Sequence, residues 1–139
     1  MIVMTAAELQ GFLAQEFAQV AEDFLVERAD GAGVCLRLRV QDKHLRPGGT
    51  VSGPAIFALA DVAMYLAILS RIGPVALAVT TSCSVDFMRK PAAGVDMLAE
   101  ARVLKLGRSL AVGDVMLFSK GMAEPVARAG LTYSIPPAR

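Results

Sequence analysis

The chain has 139 residues, 55% of them hydrophobic, and a net charge of only +1. That length gives one domain with room for a sizeable core. No run reaches the ~18 uninterrupted apolar residues that a membrane span requires, so the surplus of apolar residues points to a subunit interface rather than a bilayer.

The charge is unevenly spread. Residues 1–30 carry six acids against Arg28 alone, which leaves the remainder clearly positive. That excess suits an anionic small ligand, but it is too dilute, and too poor in aromatics between the basic residues, for nucleic acid. Met1–Met4 lacks a basic n-region, so no secretory leader is expected. Cys35 and Cys83 have no CxxC spacing and read as reduced thiols of a cytoplasmic protein. No His, Cys and acid cluster has metal-ligand spacing and no phosphate-cradling motif is present, so no metal or nucleotide cofactor is expected.

Along the chain, Thr5 and Glu8 have the spacing of a capping box. Leu9, Phe12, Leu13, Phe17, Val20 and Phe24 follow at helical intervals, which predicts an amphipathic N-terminal helix over 6–28 within a segment 1–30. The remaining 31–139 form one domain. Asp30-Gly31-Ala32-Gly33 breaks the helix, and Val34, Leu36, Leu38 and Val40 alternate as a half-buried strand. A loop over 41–53 contains Pro47, Gly48 and Gly49.

Ser52 then caps, and Pro54 opens, a helix that is apolar on every side but for Asp61. Such a helix belongs inside a structure. A charged carboxylate there costs several kcal/mol unless it is compensated, so Asp61 is either well paired or kept for chemistry. The helix stops near Gly73-Pro74. Strand-like runs follow at 76–87, 96–106, 109–119 and 124–134, with Gly107-Arg108 and Lys120-Gly121 short enough for hairpins. Helix, strand, long helix and four strands make an α+β architecture, a mainly antiparallel sheet of five to six strands wrapped around the central helix.

Leu59-Ala60-Asp61-Val62-Ala63-Met64, Phe87-Met88-Arg89-Lys90-Pro91 and the turn Gly107-Arg108 occur in that order. In this the chain resembles the hotdog-fold thioesterases, in particular the PaaI-like group related to the phenylacetate-pathway and 4-hydroxybenzoyl-CoA enzymes. The resemblance covers roughly 34–134. It departs where that group has His-Gly-Gly, here Ser52-Gly53-Pro54, and where it has an asparagine, here Arg46.

The resemblance implies hydrolysis of an acyl-CoA thioester. Coenzyme A enters only as part of the substrate, and the protein is a homodimer that pairs further into a dimer of dimers. It assigns Gly53 as oxyanion donor and Asp61 as base or nucleophile. Ser52 flanks the donor, and Tyr65 matches a position where relatives carry a hydroxyl. Ser82 and Ser84, two apart on one strand, share a face that could meet water or the acyl group. Arg46 could gate the site, while Arg89, Lys90 and Arg108 at turns could meet the phosphates.

Gly53 and Asp61 are eight residues apart, hence ~12 Å along one helix, so a site using both needs two protomers. Two other readings stay open from the residues alone: a non-catalytic acyl-CoA or acyl-carrier binder, and a hotdog dehydratase. The dehydratase is disfavoured because His44 is the only histidine.

Overall fold

The computed structural model describes residues 1–137. Its elements are α1 (Ala6–Glu16), a short helical turn α2 (Ala18–Ala21), β1 (Phe24–Asp30), β2 (Gly33–Leu38), the long helix α3 (Gly53–Ile72), β3 (Val79–Phe87), β4 (Met97–Leu106), β5 (Leu110–Ser119) and β6 (Ala127–Ser134). A single 3₁₀ turn at Asp42–His44 precedes α3. The six strands form one antiparallel sheet in the order β1-β2-β4-β5-β6-β3.

The N-terminal helix is shorter than its periodicity suggests. The capping box is present: Glu8 N–H donates to Thr5 Oγ1 (3.2 Å) and Thr5 N–H to the Glu8 carboxylate (2.9 Å). The helix nonetheless ends at Glu16, because Phe17 takes a non-helical backbone (φ −131°, ψ 49°). Phe24–Arg28, expected to close that helix, instead belongs to the edge strand β1. Phe24 and Val26 lie two apart and both are buried, a spacing that serves a strand as well as Phe24 serves the helix period. The Gln10 amide fastens α1 to this strand, donating to Phe24 O and accepting from Val26 N–H. The presumed helix breaker at 30–33 is the turn of the β1–β2 hairpin. Gly33 is required there: its φ is +139°, and a Cβ would collide with the Ala101 carbonyl of the neighbouring strand. The first 30 residues thus contribute a strand to the same sheet as the rest.

The remaining elements lie close to expectation, although β3 begins at Val79 and the β5–β6 connection, 120–126, is longer than a tight hairpin. Ser52 Oγ accepts Ala55 N–H at 3.3 Å, Pro54 occupies the first turn, and Gly73 (φ +95°) ends α3. By length and composition α3 could cross a membrane, yet two-thirds of its most apolar window is buried by the sheet. Leu59, Met64, Leu66, Ile68 and Leu69 are fully buried with Leu36, Leu38, Met97 and Leu117 of β2, β4 and β5. The opposite face of the sheet carries cross-strand ion pairs, Arg28–Glu100, Arg102–Asp114 and Arg128–Asp86 among them.

One part of α3 is left partly open. Gly53, Phe57 and Asp61 follow one another at i, i+4 and i+8, so they form one stripe. Phe57 on this stripe is 42% exposed, and β3 beside it is an unpaired edge with Val79 and Phe87 exposed.

Candidate active site

Asp61 is half-buried in the middle of α3, and its carboxylate is compensated by hydroxyls rather than by a cation. Thr80 of β3 donates its hydroxyl to Asp61 Oδ1 at 2.6 Å. Tyr133 of β6 reaches the same oxygen at 2.6 Å and the Asp61 backbone carbonyl at 2.8 Å. Distances of 2.6 Å are those of charge-assisted O–H···O⁻ bonds. Thr80 and Tyr133 are cross-strand partners in the β3–β6 ladder, which explains how both converge on one atom. Burial and the Asp61 charge push the Tyr133 phenol far above its usual pKa, so it remains a donor.

The serines expected beside Asp61 are elsewhere. Ser82 and Ser84 are exposed and neither hydrogen-bonds Asp61. The reason is a bulge between Thr80 and Ser82, which shifts strand parity so that Thr80, Cys83 and Val85 are the half-buried positions. Simple alternation would group Thr80 with Ser82 and Ser84; the bulge keeps Thr80 facing Asp61 and turns the two serines away. Tyr133 was within reach, since Leu131 and Tyr133 alternate on the buried face of β6.

Tyr65 packs as core: its hydroxyl donates to Ala76 O at 2.8 Å, and its ring stacks on Tyr133 at 6.2 Å between centroids. Burial, then the Glu16 charge, raises its pKa.

Asp61 borders two clefts. One, of about 360 Å³, is lined with Phe17, Tyr65, Thr80 and Tyr133. The other, of about 390 Å³, is mainly apolar, with Phe17, Val20, Phe24 and Leu38 in its wall. His44 also lines it but is already engaged. Its Nδ1 accepts Gln41 N–H (2.9 Å), and its Nε2 lies 3.5 Å from Asp23.

Gly53 lines a third and larger cleft, about 710 Å³, beside Arg46, Arg89 and Lys90. Here the N-terminus of α3 and three cations face one space, a setting for an anion. Arg89 is partly committed, donating to Pro125 O at 2.7 Å and lying 3.6 Å from Glu124. Ser52 is occupied as the helix cap. Arg108 stands apart, in an apolar groove at the other end of α3 with Leu77 and Leu106. Within the one chain, then, Gly53 gathers Arg46, Arg89 and Lys90, Asp61 gathers Tyr65, Thr80 and Tyr133, and the two groups border different clefts. Among the described residues no group of three or more His, Cys, Asp or Glu side chains could hold a metal ion.

Residues 48–126 match the model of a family described as the thioesterase superfamily. Human acyl-coenzyme A thioesterase 13 is 29% identical over 106 residues, 75% of this chain and 73% of its own. A Silicibacter protein described as a candidate thioesterase superposes with a TM-score of 0.92 at 53% identity, covering 99% of this chain and 95% of that one. A variant of the phenylacetic acid degradation protein PaaI from Thermus thermophilus gives 0.73 at 29% identity, over 86% and 99%.

Proposed function

The chain belongs to the thioesterase superfamily and is a thioester hydrolase, and we propose that it cleaves acyl-CoA at a site completed by a second copy of itself. The observation that carries this is the stripe Gly53, Phe57, Asp61, half-open in one protomer and bordering separate clefts at its two ends. Residue 57 is midway between 53 and 61. Two α3 helices crossing antiparallel at Phe57 therefore bring Gly53 of one against Asp61 of the other, twice, about a two-fold axis. The bare β3 edge and its apolar side chains would be covered by the same association.

In that arrangement the thioester carbonyl meets the Gly53 N–H, whose lack of a side chain allows close approach. A good donor of this kind contributes ~3–4 kcal/mol to the transition state. Pro54 has no N–H and adds no second donor. Asp61 Oδ2, which has no hydrogen-bond partner among the described residues, acts as base or nucleophile. As base it takes a proton from water while the water oxygen adds to the carbonyl carbon. Collapse of the oxyanion then breaks the C–S bond, and the departing thiolate takes up the proton, giving coenzyme A and a carboxylic acid.

The acyl group fits the apolar cleft beside Asp61, and the phosphates fit the cationic cleft beside Gly53. No cofactor is needed beyond the CoA portion of the substrate. The free Cys35 and Cys83 are in keeping with a reducing, cytoplasmic setting.

The test is thiol release from a panel of aliphatic and aromatic acyl-CoAs by wild type and Asp61→Asn. Turnover by wild type, lost in the variant, is the expected result, and the panel names the acyl class. Binding of acyl-CoA without turnover would favour the one rival, a non-catalytic binder, to which the replacement of the group's His-Gly-Gly by Ser52-Gly53-Pro54 lends weight.

A further inference from the structure

We infer that Tyr133 is a positioning residue for this site: together with Thr80 it fastens Asp61 Oδ1 and so presents Oδ2 as the reactive oxygen. The inference rests on the reading of Asp61 as base or nucleophile. A carboxylate at the end of a two-bond side chain can turn about its last torsion, which is broad and two-fold, and so exchange its oxygens. Two donors on one oxygen oppose that exchange.

The donors come from adjacent strands held in register, Thr80 opposite Tyr133. They approach Oδ1 at the same 2.6 Å. Each hydroxyl has one proton. Thr80 donates its own to Oδ1; Tyr133 has two acceptors, Oδ1 and the Asp61 carbonyl at 2.8 Å, and the charged one is the stronger. Tyr133 is 2% exposed and its ring is fixed by Tyr65, so its hydroxyl cannot swing out to water. The outcome is an asymmetric carboxylate, one oxygen saturated by the sheet and the other left for the substrate side. Tyr133 does not touch the reacting atoms; it acts through Asp61.

The test compares Tyr133→Phe, Thr80→Val, the double variant and Asp61→Asn with wild type, measuring kcat, KM and melting temperature on the acyl-CoA that wild type hydrolyses best. Loss of one hydrogen bond to a charged group predicts a roughly tenfold lower kcat for Tyr133→Phe, with KM within about twofold. In the Thr80→Val background, where Tyr133 is the remaining donor to Oδ1, the same change costs a larger factor than in wild type. Unchanged kcat in Tyr133→Phe overturns the inference, as does a loss that appears equally in KM and in stability, or one that simply multiplies with Thr80→Val. An inactive Asp61→Asn beside a fully active Tyr133→Phe sinks this inference alone. Wild-type activity in Asp61→Asn sinks the underlying reading and this inference with it.

Discussion

The proposed site, built from Gly53 of one protomer and Asp61 of another, makes a quantitative demand on mixed dimers. Gly53→Ala puts a methyl group where the proposed site has the carbonyl approach; its Cβ position is 3.5 Å from the Phe87 ring, an ordinary contact. Asp61→Asn removes the acid. Each variant alone has two dead sites per dimer. A heterodimer of the two has one site with both lesions and one with neither, because residues 53 and 61 of one helix serve different sites. Isolated heterodimers, purified through two different tags, should therefore regain about half the wild-type activity per dimer, and an equal unsorted mixture about a quarter, by simple statistics of a two-fold dimer. The assay is thiol release under saturating acyl-CoA, with native mass spectrometry confirming the heterodimer. Heterodimers no more active than their parents would refute the shared site, since sites built within one chain give no complementation.

Two further outcomes follow from packing and burial. A Cβ at Gly113 would strike the Met64 side chain and lie 2.5 Å from the Arg102 carbonyl, which is backbone and cannot yield. Gly113→Ala should cost ~1–3 kcal/mol and several degrees of melting temperature, and a melting point within one degree of wild type would contradict the packing described. Burial, then the Glu100 carboxylate, pushes the Cys35 thiol up to about 12. It should resist iodoacetamide at pH 8 in the folded protein, and its contribution to stability is complete below the ordinary 9.0 and lost as pH rises towards 12. Rapid native alkylation at Cys35, located by mass spectrometry, would be inconsistent with that burial.

The parts of the fold that a sequence displays are those written in local chemistry. Ser52, Pro54 and Gly73 delimit α3 because capping and breaking depend on neighbours along the chain. Asp61 stands out because it is the single charge between Gly53 and Ser70 of a greasy helix. Phe24–Asp30 misled because Phe24 satisfies the helical period and the strand period at once, and only pairing with β2 decides between them. Ser82 and Ser84 are turned away from Asp61 by a bulge after Thr80, a feature of the β3–β6 register that no local pattern announces. Arg108 and the Arg46, Arg89, Lys90 group read alike as turn cations, yet they lie at different clefts, since placement depends on tertiary path rather than residue type.

The order of elements has a consequence for biosynthesis. Strands β3 to β6, including two of the strands that bury α3, follow it in the chain, so the nascent protein exposes a segment as long and apolar as a bilayer span before its sheet exists. Between Gly53 and Ser70 the one charge is Asp61. An aspartate near the middle of an inserting helix costs about 2.5–3.5 kcal/mol at the translocon. The same carboxylate that Thr80 and Tyr133 hold in the folded protein thus weighs, while the chain is still being made, against its being mistaken for a membrane anchor.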